Sequence, residues 1–170
     1  FSVAVAFLIL TACAGSPSSV LPPAELTELK NQIVISRQWK FTAGKGVSDF
    51  YLKLKPVFYK NTGYIIDYQG LLQAFTIDTG KIIWEADLNV AASGGLTLAN
   101  GNLYFGTSKG EVLAVSTENG KVLWRAELSS EILSRPAVAK GIIVTKTIDG
   151  RVYGLNAKDG KQNWVYDRSV

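Results

Sequence analysis

Gly80-Lys81-Ile82-Ile83-Trp84 recurs as Gly120-Lys121-Val122-Leu123-Trp124 and again as Gly160-Lys161-Gln162-Asn163-Trp164. The spacing is 40 residues both times. Ten residues before each of these glycines stands another, at Gly70, Gly110 and Gly150. Pro56 and Pro136 share one repeat position, with Leu96 between them. A strict period of this length marks a repeat architecture, in which one supersecondary unit buries its faces only by stacking on its neighbours.

The third copy shows what the unit is. Ala137-Val138-Ala139 reads as a short apolar strand, and Ile142 to Thr147 as a β-branched one. Asp149-Gly150 is a hairpin signal. Arg151 to Asn156 sets Val152 and Leu155 among other residues, Lys158-Asp159-Gly160-Lys161 forms a second turn, and Asn163 to Asp167 carries Trp164 as a fourth strand. In both turns glycine supplies a positive φ without steric cost. Four strands per 40 residues make a β-propeller blade. The fold class is therefore all-β, a propeller of four-stranded antiparallel blades near residues 51–90, 91–130 and 131–170. Each tryptophan is expected to lay its ring on the neighbouring blade and to give its indole N–H to a backbone carbonyl. A ligand-stacking role is the alternative, but every repeat carries one tryptophan and packing accounts for all of them.

Trp39 breaks the pattern. It lies 45 residues before Trp84, and no turn glycine stands four residues ahead of it. Its stretch, near residues 33–42, is expected to be a lone fourth strand that completes the last blade and closes the ring. Propellers have 4–8 blades, so three blades and a closing strand belong to a longer protein, and both ends of the chain read as cut. Unclosed blades would expose edges that pair with other strands.

The N-terminus reads as an address. Phe1 to Leu10 is apolar but for Ser2, a length suited to the core of a secretory signal rather than to a membrane span. Residues 1–12 are expected to be a signal peptide lacking its start. Residues 13–29 include Gly15-Ser16-Pro17-Ser18-Ser19 and Pro22-Pro23, a composition that buries no core and reads as a flexible tether of about 20–25 Å. Glu25 to Lys30 has the composition for a short helical turn. Residues 30–170 form the propeller with its closing strand.

Composition excludes much chemistry. Histidine is absent, which removes Ser-His-Asp and Cys-His catalysis and the commonest metal ligand. The one cysteine allows neither an internal disulfide nor a cysteine-rich zinc site. No phosphate-binding loop of the GxxxxGK[ST] type is present. The formal charge of +4 is spread along the chain and gives no sign of a nucleic-acid partner.

Leu10-Thr11-Ala12-Cys13 resembles a bacterial lipobox. That resemblance implies cleavage before Cys13 and a lipid anchor there, a diacylglyceryl thioether plus an N-acyl chain such as palmitate. Ala14 in the next position implies sorting to the outer membrane, on its periplasmic face. Ala74-Phe75-Thr76-Ile77-Asp78-Thr79-Gly80-Lys81-Ile82-Ile83-Trp84 resembles the tryptophan-docking motif of quinoprotein-type propellers, with looser copies at Ala114 to Trp124 and Gly154 to Trp164. Thr76 and Ser116 replace the usual Asp. The structural docking set is then Trp39, Trp84, Trp124 and Trp164 with Gly80, Gly120 and Gly160.

Two families share the motif, pyrroloquinoline quinone dehydrogenases and the BamB lipoproteins of the outer-membrane β-barrel assembly (BAM) machinery. The lipobox, Gly44 to Tyr51 after the early tryptophan, and Leu133-Ser134-Arg135-Pro136-Ala137-Val138 are similar to the BamB pattern. The dehydrogenases use a vicinal cysteine pair, which this chain lacks, and their calcium ligands and catalytic Asp match no residue here. The BamB resemblance implies an eight-bladed ring without catalysis, cofactor or metal. It implies docking on BamA, the barrel-inserting subunit, alongside other BAM subunits, with unfolded outer-membrane protein clients as further partners. The loop best tied to BamA in that family follows the third blade, just past Val170. Within the chain, Gly44 to Tyr51 and Ser129 to Arg135 are the longer connections. Arg135 is expected either to face a partner carboxylate or to pack its stem on the blade. The alternatives are a periplasmic binding module with another partner, or a quinone-dependent dehydrogenase. An exposed blade edge that takes up a client strand is a further expectation.

Overall fold

The computed structural model describes residues 23–28 and 33–167. The expected signal peptide and Cys13 lie outside these residues. Contacts divide the chain into two units, residues 1–35 and 36–170. In the first, residues 23–28 are exposed and adopt no regular structure, so the described part of the expected helical turn is not helical.

The second unit is all-β. Its strands are β1 (Val57–Tyr59), β2 (Thr62–Ile66), β3 (Leu71–Thr76), β4 (Ile82–Asp87), β5 (Thr97–Ala99), β6 (Asn102–Gly106), β7 (Glu111–Ser116), β8 (Val122–Glu127), β9 (Ala137–Ala139), β10 (Ile142–Lys146), β11 (Val152–Asn156) and β12 (Gln162–Tyr166). They form three four-stranded antiparallel meanders, β1–β4, β5–β8 and β9–β12. The sequence repeat is thus one blade.

Burial along each strand follows its place in the blade. β7 is buried at four consecutive positions, Val112 to Val115, because neighbouring blades cover both of its faces. β8 alternates half-buried and exposed positions, the pattern of a strand with one face in water. A β-bulge recurs where the third strand meets the tryptophan strand, at Ala74/Phe75, Ala114/Val115 and Gly154/Leu155. The core lies between blades. Leu72, Leu96, Leu103, Phe105 and Leu113 join blades one and two, while Tyr104, Val112, Ile132, Ile143 and Leu155 join blades two and three. Each such side chain contributes about 1.5–3 kcal/mol relative to exposure.

A meander sends alternate connections to opposite ends of its strands. The β1–β2 and β3–β4 turns and their repeats lie at one end, here the turn face. The β2–β3 turns and the links between blades lie at the other, the connection face. Residues 33–42 have no ladder partner among the described residues. The stretch expected to be a strand is therefore extended chain here, because a strand is defined by the backbone groups it pairs with.

Candidate partner-docking surface

The tryptophans set the register of everything on this surface. The Trp84 indole donates to Thr117 O at 3.1 Å, and the Trp124 indole to Ala157 O at 3.1 Å. The Trp39 indole donates to Ile77 O at 2.6 Å. Each ring lies on the glycine of the next turn. A Cβ on Gly80 would sit 2.5 Å from Trp39, one on Gly120 2.8 Å from Trp84, and one on Gly160 2.5 Å from Trp124. Trp39 therefore does for the first blade what Trp84 does for the second. Trp39 and Phe41 also close over Phe75, with ring centroids 5.8 and 4.8 Å away. Trp164 is 41% exposed and rests on Gly154 of its own blade.

The same register continues onto the connection face. Tyr68 N donates to Gly46 O, Ser108 N to Ala91 O and Ile148 N to Glu131 O, all at 2.9–3.0 Å. Gly46 thus stands where Ala91 and Glu131 stand, and residues 39–46 repeat residues 84–91. Eleven steps separate Gly46 from the start of β1, whereas six separate Ala91 from β5 and Glu131 from β9. The five residues that put Trp39 out of period lie in the link before β1.

Asp67 pins that longer link. The residue is 4% exposed. Oδ1 accepts the N–H groups of Gln69 and Leu71 at 2.9 Å, which closes the β2–β3 turn. Oδ2 accepts Lys45 N at 2.9 Å. The other blades carry Thr107 and Thr147 at this position, both buried. A threonine hydroxyl satisfies its own turn, as Thr107 does for Glu111 N at 3.0 Å. A carboxylate has a second oxygen left for the incoming loop. Gly44 approaches so closely, at φ +50°, that a side chain there would strike the Asp67 carboxylate.

Beyond the pin, the loop presents Phe50 at 57% exposure and Tyr51 fully exposed. The Phe50 ring lies 5.6 Å from Tyr68. Lys45, Phe50, Tyr68, Val90 and Lys109 line a hollow of about 630 Å³ beside it. Lys53 O packs near Gly95, whose other neighbour is Arg135. Arg135 is exposed and takes part in no ion pair among the described residues. Gly44 to Tyr51 and Ser129 to Arg135 therefore share one face. On that face the Asp149 carboxyl is held below the ordinary range, first by the Ser129 hydroxyl and then by that of Thr147. Arg151 is held above its ordinary value by its hydrogen bond to Asp167 at 2.8 Å. No group of three or more His, Cys, Asp or Glu side chains suited to a metal occurs among the described residues.

The longer connection expected from Gly44 to Tyr51 holds the five extra residues and Phe50, whereas the role of Asp67 is visible only in the structure. One signal was present, an acid at a repeat position that holds threonine twice.

A sequence model of the family described as outer membrane protein assembly factor BamB matches residues 68–170. The outer membrane protein assembly factor BamB of Pseudomonas aeruginosa is 36% identical over 100 residues, covering 59% of this chain and 26% of that protein. The chain spans about a quarter to a third of the length of the curated relatives it matches. The crystal structure of BamB from Moraxella catarrhalis superposes with a TM-score of 0.62 at 20% identity, covering 69% of this chain and 36% of that one. A quinohemoprotein alcohol dehydrogenase from Pseudomonas putida superposes with a TM-score of 0.63, also at 20% identity, over 76% of this chain and 22% of that one. At such identities the structural likeness speaks for the fold alone.

Proposed function

The chain belongs to the family of the outer membrane protein assembly factor BamB, and from that premise we propose that it is part of a non-catalytic scaffold of the BAM complex that docks on a BamA-type barrel insertase. The observation that carries docking is the connection face, where a pinned loop offers two exposed aromatics and a neighbouring link carries Arg135, which has no ion-pair partner among the described residues. Aromatic and arginine side chains dominate binding energy at protein interfaces, and loops on a rigid scaffold are where binding residues sit. β12 ends at this same face. Cys13 carries the lipid anchor, residues 14–29 form the tether, and the Trp39 stretch closes the ring by completing the last blade.

The test is recovery of partners from solubilised outer membrane with the full-length protein, read by mass spectrometry. The wild type is expected to bring down the barrel insertase. Combined Phe50→Ala, Tyr51→Ala and Arg135→Glu substitutions are expected to reduce that recovery about tenfold or more. A wild type that recovers no insertase overturns the scaffold reading, and an undiminished triple variant removes this face from it.

A further inference from the structure

We propose that the turn face lies against an anionic lipid surface. The proposal rests in part on the lipid-anchor reading above and concerns the end of the blades opposite the partner-docking face.

Six lysines stand on the tips of the turn face: Lys60, Lys81, Lys121, Lys140, Lys158 and Lys161, all exposed. The same turns carry three acids, and two of these are engaged locally. Asp78 accepts the Asn61 side-chain amide at 2.8 Å, and Asp159 accepts Lys161 N at 3.1 Å and pairs with the Lys161 ammonium at 3.6 Å. The loops and turns of the connection face are more evenly mixed. There Lys45, Lys53, Lys55, Lys109, Arg135 and Arg151 are set against Asp49, Asp67, Glu131, Asp149 and Asp167.

Two of the lysines sit where the backbone disfavours them. The β1–β2 and β9–β10 turns place Lys60 at φ +50° and Lys140 at φ +48°. The matching residue of the second blade is Asn100, at φ +50°. Asparagine and glycine accept the left-handed region, whereas lysine enters it at a steric cost. Two blades of three thus hold a cation at a turn position that favours an uncharged residue. Strain of this kind is retained where the side chain has a use.

The path of the chain supplies the occupant. The second unit begins at Ser36. Three extended residues, about 10 Å at most, bring it to Trp39, whose ring lies on Gly80 in the β3–β4 turn. From there residues 39–46 cross to the connection face, where Gly46 pairs with Tyr68. The polypeptide therefore joins the blades at the lysine end. On the anchor reading above, the acylated segment is joined covalently to the blades at this end. The lysines are distributed over the tips of three blades instead of converging on a groove, which suits a sheet of headgroups. Each lysine close to such a surface adds appreciably to its attraction, and the effect dies away within about 10 Å.

The experiment uses the protein expressed from Ala14 onward, so that neither an acyl chain nor the apolar residues 1–12 carries the binding. Vesicles of phosphatidylcholine with and without phosphatidylglycerol are sedimented with it. Binding is expected only with phosphatidylglycerol, falling steeply with salt, and about 30-fold weaker after Lys60→Asn together with Lys140→Asn. The thermal midpoint of that variant is expected to equal or exceed the parent's, which separates lost charge from lost structure. Equal binding to both vesicle types, undiminished binding of the double variant, or capture of poly-glutamate without vesicle binding overturns the proposal, the last in favour of an acidic polypeptide. Palmitate labelling of the wild type tests the anchor separately. Its failure would remove that reading while leaving the vesicle result to judge the lysine face on its own.

Discussion

At Gly120 one methyl group decides whether two blades fit. An added Cβ would lie 2.7 Å from Ala86 Cβ and 2.8 Å from the Trp84 ring, at a φ of +70°. Gly141 has nearly the same backbone, φ +75°, and nothing within 4 Å. The pair separates backbone strain from lost docking. Gly141→Ala is expected to cost about 1 kcal/mol, the strain alone. Gly120→Ala is expected to cost about 3 kcal/mol, because the indole must also shift. Denaturant unfolding of the two full-length variants measures both, and equal losses would deny the tryptophan its wedge role. The Gly-x-x-x-Trp spacing was legible because a single contact demands both residue types. The cost at Lys60 and Lys140 was not, because lysine gives no turn signal and the strain appears only once φ is known.

At the scale of elements, the link before β1 is the lesson. The 45-residue gap ahead of Trp84 revealed that five residues were extra, and Gly44 to Tyr51 stood out as a longer connection, without fixing the insertion point. Only the bonds from Tyr68, Ser108 and Ile148 to the preceding link place them after Gly46. The stretch near residues 33–42 shows the converse. Its apolar, extended character was readable, but pairing depends on a partner strand that local sequence does not name. In the third blade, β9 matches its expected span, whereas β12 begins one residue earlier than read and ends one earlier. Asp67→Thr, which copies the other blades, is expected to keep the β2–β3 turn and release the loop. Hydrogen exchange at the Lys45 amide should quicken about tenfold, the loss of one charge-assisted hydrogen bond, while Gln69 and Leu71 stay protected. Faster exchange at all three amides would mean that the carboxylate holds the turn itself.

Across the whole molecule, stability is shared between neighbours rather than pooled in one core. Each cluster of buried side chains spans one pair of blades, as in other stacked repeats. Trp124→Ala is expected to cost about 3 kcal/mol, to leave Ala157 O without its indole donor, and to loosen one junction more than the other. Native-state hydrogen exchange should then show β11 opening at a lower free energy than β7, which keeps its contacts with the first blade. Uniform loss across all three blades would show that the unit unfolds as one.

The indole bonds also carry a timetable. Trp84 and Trp124 each find their carbonyl 33 residues later in the chain, and Trp39 finds its own 38 later. Each closure needs only the next forty or so residues, and the entropy of closing a loop grows slowly with its length. A polypeptide emerging from its N-terminal end can therefore latch blade upon blade in the order in which it appears, each tryptophan waiting for the turn that follows it, well before the third blade is complete.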